Sequence, residues 1–142
     1  MKKILLLTYI LLNISCASQS VKIKHIAAFS DKPIFTLIIS NNETSTKSLK
    51  ERYIKVSKED LNILLDFIVN NKTNKKQIKN KEYPYGAFVV ETQSIYNKKS
   101  YALEDTEISI NYFKKLIAFL DTNNKKKLAE EFRKILIRLE IK

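Results

Sequence analysis

The chain of 142 residues contains one cysteine, one histidine, one glycine and no tryptophan, and each scarcity removes a class of chemistry. A lone cysteine, Cys16, cannot close an internal disulfide, so packing alone must hold the fold. With His25 as the only histidine, the His/Cys ligand set of a zinc site cannot be assembled, and neither a metal nor any other cofactor is expected. His25 falls instead on the apolar side of an alternating segment and reads as a packed or edge residue. A single glycine, Gly86, excludes the glycine-rich turns that cradle phosphates, so nucleotide use is not expected. The apolar run from Ile4 to Leu12 reaches about half of the roughly 20 residues that a membrane-spanning helix needs.

That run belongs to a leader. Lys2 and Lys3 precede it, and Ser15, Cys16, Ala17 and Ser18 follow it, which is the three-part layout of a bacterial export signal. The segment Leu12-Asn13-Ile14-Ser15-Cys16 resembles a lipobox, the motif of bacterial lipoproteins in which the cysteine is lipidated and becomes the new N-terminus. Serine before the cysteine is typical of that family. The resemblance implies lipidation of Cys16 and membrane attachment through it. Ordinary cleavage after Ala17, with Ser15 and Ala17 as the small residues, is the alternative and would give a periplasmic or secreted protein. Lipidation also removes a free thiol from an oxidising compartment. The expected organisation is an export signal over residues 1–16 and a single globular domain over 17–142. Such a domain is long enough to bury about two thirds of its unfolded surface.

Lysine and arginine number 26 against 15 acids, a formal charge of +11. Loss of the leader removes only Lys2 and Lys3, so the domain stays strongly basic. Part of this has a compositional explanation. The polar residues are mainly lysine and asparagine, isoleucine dominates the aliphatics, and arginine stands only at Arg52, Arg133 and Arg138, as an AT-rich genome produces. The functional explanation is attraction to an anionic partner: lipid headgroups, a cell-envelope polymer or an acidic protein face. Nucleic acid is not expected, because export separates the chain from it and no RNA-reading aromatic motif interleaves the lysines.

Val21, Ile23, His25, Ala27 and Phe29 alternate with Lys22 and Lys24, which predicts an amphipathic strand. After a turn at Asp31-Lys32-Pro33, Ile34 to Ile39 is apolar on both sides except at Thr36, as in a strand covered on both faces. Residues 40–50 are polar and aperiodic and read as a loop. Tyr53, Ile54 and Val56 suggest a third strand, and Ser57 with Glu59 and Asp60 reads as a helix start. Leu61, Leu64, Leu65, Ile68 and Val69 supply that helix's apolar face. A lysine-rich link (Lys72, Lys75, Lys76, Lys79, Lys81) leads to a turn at Tyr83-Pro84-Tyr85-Gly86. Ala87 to Thr92 and Tyr101 to Leu103 form a second hairpin about a turn at Asn97-Lys98. Asp105 or Thr106 then opens a helix with Ile108, Tyr112, Phe113, Leu116, Ile117 and Leu120 on one face, and Leu128, Phe132, Ile135, Leu136 and Leu139 mark the last. The predicted class is α+β: about five mostly antiparallel strands, two hairpins plus one strand, with three amphipathic helices of which two are C-terminal.

Catalytic groups are sparse. Glu104, Asp105 and Glu107 stand at a helix start, where the dipole favours acids. Glu91 closes an apolar strand and is expected at its exposed end rather than paired inside. Tyr83, Tyr85, Tyr96 and Tyr101 surround the second hairpin among Lys81, Lys98 and Lys99, the make-up of a recognition patch; half-buried sheet tyrosines are the plainer reading. The expectation is a non-enzymatic cell-envelope protein that binds a protein partner, as inhibitor, immunity factor or accessory subunit, with Cys16 as the anchor. A basic binder of envelope polymer or lipid headgroups, and a small hydrolase using Glu91 and Glu104, are the alternatives.

Overall fold

Alternation along the first strand decides which way the sheet faces. The structure, a computed structural model, describes residues 19–28, 30, 32–42, 48–71, 86–94, 97–103 and 106–140. Its elements are β1 (Ser20–Ile26), β2 (Pro33–Ser40), β3 (Glu51–Lys55), α1 (Lys58–Asn70), β4 (Ala87–Gln93), β5 (Lys98–Leu103), α2 (Thr106–Thr122) and α3 (Lys126–Glu140). The sheet order is β3-β2-β1-β4-β5. Val21 and Ile23 of β1 lie between Ile39 and Leu37 of β2 and Thr92 and Val90 of β4. With Ile54, Phe88 and Leu103 they form the floor of the core, which the apolar stripes of all three helices cover. A smaller cluster of Ile26, Ala87 and Val89 occupies the opposite face, where no described helix packs.

The α+β class and both hairpins are as expected. β1 pairs antiparallel with β2 and β4, and β4 with β5. β3 runs parallel to β2, with Glu51 opposite Thr36 and Lys55 opposite Ser40. The parallel ladder is extended at both ends, by the Thr36 N–H to the Lys50 carbonyl at 2.9 Å and the Val56 N–H to the Ser40 carbonyl at 3.0 Å. Two boundaries differ from the sequence reading. A register shift between His25 and Ile26 ends β1 before Ala27. Coverage of β2 on both faces also fails at Ile34, which is 47% exposed beside that irregularity.

The start of α1 follows its local chemistry. The Ser57 hydroxyl accepts the Asp60 N–H at 3.0 Å, and Glu59 and Asp60 occupy the first turn of α1. At its other end the Asn71 backbone and side-chain N–H groups both donate to the Phe67 carbonyl. The buried stripe is Leu61, Leu64, Phe67 and Ile68, so the face is rotated from the one expected. Phe67 turns inward against Tyr112 and Phe119, with ring centroids 5.6 and 5.2 Å away, and Val69 turns out. In α2 the first buried position is Ser109 rather than Ile108; its hydroxyl donates to the Leu103 carbonyl at 3.4 Å, tying the helix to the end of β5. Lys125, in the turn between α2 and α3, reaches Glu59 at 2.9 Å and Asp60 at 2.8 Å. Hydrogen bonds to Asp60 and then Glu59 hold its ammonium above the ordinary lysine range, and they clasp the start of α1 to the helical hairpin.

Gly86 opens β4 at φ +77°, and a Cβ built there would lie 2.9 Å from the Ile26 carbonyl oxygen. Left-handed backbone costs a residue with a Cβ about 1–2 kcal/mol before any clash. Gly86→Ala is therefore expected to lower unfolding free energy by about 2 kcal/mol or more in a denaturant titration; a loss below about 0.5 kcal/mol would show that the turn relaxes freely.

Candidate functional site

Strand register arranges the side chains opposite the helices in rows. One row reads Tyr53, Ile38, Lys22, Glu91, Ser100 from β3 to β5, and the next reads Glu51, Thr36, Lys24, Val89, Ala102. Lys24 reaches diagonally from its row to Glu91, with Nζ and Oε1 at 2.7 Å and side-chain exposures of 28% and 14%. Glu91 is thus paired on the sheet and not at an exposed strand end. Alternation puts Lys22 and Lys24 on that face, but only the pairing of β1 with β4, 67 residues apart in sequence, brings the carboxylate to them. In the same row the Tyr53 hydroxyl is buried without a hydrogen-bond partner among the described residues.

Glycoside cleavage needs two carboxyl groups about 5–10 Å apart. The other described acid in these two rows, Glu51, stands on β3, three strand spacings or about 14 Å from β4. Glu104, the second acid of the hydrolase alternative, lies outside the described residues, as do Cys16, Lys81, Tyr83, Tyr85, Tyr96 and Asp105. Among the described residues no group of three His, Cys, Asp or Glu side chains could hold a metal ion. His25 stacks on Phe88, centroids 4.4 Å apart and planes 10° from parallel, as a packed residue. Tyr101 faces the helices, half-buried against the core, which fits the plainer reading of the tyrosines.

Lys98 and Lys99 remain of the expected patch, both exposed at the start of β5. They sit beside a feature that composition does not reveal. Ser94 and Asn97 exchange both backbone hydrogen bonds, at 2.9 and 3.4 Å, so theirs is the narrow pair that closes the hairpin. Lys98 therefore belongs to the strand and not, as expected, to a turn at Asn97-Lys98. Narrow and wide pairs alternate in an antiparallel ladder. With Thr92 opposite Lys99 and Val90 opposite Tyr101, the residues Lys99, Tyr101 and Leu103 bond to β4. Lys98, Ser100 and Ala102 then point their N–H and C=O groups away from the sheet. β5 is an end strand, and no described residue hydrogen-bonds to those groups. The opposite edge is less open: the outward N–H of Glu51 donates to the Ser48 carbonyl at 3.0 Å.

No family model, curated protein or solved structure matches the chain. The described residues offer an ion pair that joins two strands and a basic end strand whose outer backbone groups bond to no described residue. The ion pair is a structural contact: breaking a partly buried pair leaves the surviving charge poorly solvated. Glu91→Gln and Lys24→Met are each expected to cost about 1–2 kcal/mol, and the double variant about 1 kcal/mol less than their sum. Additive losses in the thermodynamic cycle would contradict the contact.

Proposed function

We propose that the chain is an exported envelope protein, anchored through a lipidated Cys16, that binds a protein partner and catalyses no reaction, as an inhibitor, immunity factor or accessory subunit does. The leader that ends at Cys16 supports the location. The observation that carries the binding role is the end strand β5, whose exposed Lys98 and Lys99 lie next to outward-pointing backbone groups. Charge and directional hydrogen bonding coincide there, and their combination selects a protein surface over a diffuse polyanion. A polymer or headgroup layer matches the lysines alone and would bind with strong salt dependence and little shape specificity.

Affinity capture of the full chain from its own cells tests this. One protein is expected to remain bound at about 1 M salt, where screening acts over about 3 Å, and Lys98→Glu with Lys99→Glu should reduce its recovery. Cys16→Ser should move the chain out of the membrane fraction. Recovery of polymer or lipid alone, released by salt, would replace the proposal with the polyanion reading; a Cys16→Ser protein still held in membranes would remove the acyl anchor.

A further inference from the structure

The geometry points to β-strand addition: the partner lays an extended, acidic segment along the outer edge of β5. The inference rests on the partner-binding reading above and specifies both the surface and the partner's chemistry. Three alternate residues, Lys98, Ser100 and Ala102, present their N–H and C=O groups outward, enough for a strand of about six residues, or about 20 Å. Main-chain bonds of this kind supply affinity, and alternate side chains supply specificity.

The flanking side chains say which strand fits. Lys98, Ser100 and Ala102 lie on the face away from the helices, and Lys99, Tyr101 and Leu103 on the helix side, because adjacent residues alternate. An added strand therefore sets one residue beside Lys98 and the next beside Lys99, on opposite faces. Both neighbours are exposed ammonium groups, so two adjacent acids are favoured. Two positions beyond the acid at Lys99, the partner residue meets the half-buried Tyr101 ring, which favours an aliphatic or aromatic side chain. Ser100 and Ala102 are small and leave room between. A second copy of this chain is a poorer occupant, since the excess of lysine over acids opposes self-association and lysines on an edge strand discourage like strands from pairing.

The test uses the native protein and a fluorescein-labelled peptide with two adjacent glutamates followed by alternating threonine and valine, together with its reversed sequence. One of the two is expected to bind, measured by anisotropy. N-methylation of alternate peptide amides should weaken it about tenfold or more, the equivalent of losing one or two hydrogen bonds. Ser100→Pro removes an outward donor without touching the ladder to β4 and should weaken binding similarly while leaving the melting transition nearly in place. If that variant fails to fold, the methylated peptides on the unaltered protein decide the matter alone.

Absence of binding would overturn the inference, and so would binding indifferent to N-methylation, which is attraction by charge only. Concentration-dependent dimerisation that Ser100→Pro abolishes would overturn it in favour of a second copy. If the cellular partner is captured equally by the native chain and by Ser100→Pro, strand addition falls and the partner-binding reading stands. If the native chain captures no protein at all, that reading itself falls.

Discussion

Phe113 of α2 meets Phe88 of β4 edge-on at 5.3 Å and lies beside Phe132 of α3 at 6.2 Å. Phe113 and Phe132 are fully buried, so one ring joins the middle of the sheet to the helical hairpin. Aromatic pairs of this geometry add about 0.5–1.5 kcal/mol beyond the area they bury, and truncating a buried phenylalanine costs about 3–5 kcal/mol. The cluster continues through Tyr112 to Phe67 and Phe119, which brings in α1. Burial pushes the Tyr112 hydroxyl well above the ordinary tyrosine range. With Cys16 as the only cysteine, no internal disulfide can share this task, and the apolar layer carries it.

Packing all three described helices on one sheet face has two consequences for the site. It turns the charged side of β1 and β4 away from the core, where Lys24 and Glu91 satisfy each other across neighbouring strands. It also leaves β5, an end strand of the sheet, fastened to α2 through Ser109 and Leu103. The core thus anchors the inner side of the strand, while no described residue hydrogen-bonds to its outer backbone groups. Such an edge is a liability toward copies of the same chain, and Lys98 and Lys99 offset it by charge. In the proposed role the same two residues would also attract an acidic partner, so that protection and recognition would share one set of side chains.

Most of the architecture was readable from local signals. Ser57, Glu59 and Asp60 announce α1 because capping needs only residues within one turn. The apolar stripes of α2 and α3 follow a spacing that composition cannot imitate over four turns. Features set by distant residues were not readable. The parallel direction of β3 is one of these, because the length of a polar stretch does not state the direction of the strand that follows it. Glu91 was expected at an exposed end because its partner Lys24 lies on a strand whose register against β4 no local pattern encodes. Of the expected recognition patch, Lys98 and Lys99 could be placed on an exposed strand, while the outward direction of Ser100 and Ala102 follows only from the Ser94–Asn97 pair and the strand order.

Residue-by-residue amide hydrogen exchange in the native protein tests the open edge most directly. Along β5 the account predicts an alternating profile: Lys99, Tyr101 and Leu103, bonded to β4, exchange slowly, while Lys98, Ser100 and Ala102 exchange faster on the order of a hundredfold. Uniform protection of all six amides would show that the outer edge is already occupied and would contradict it.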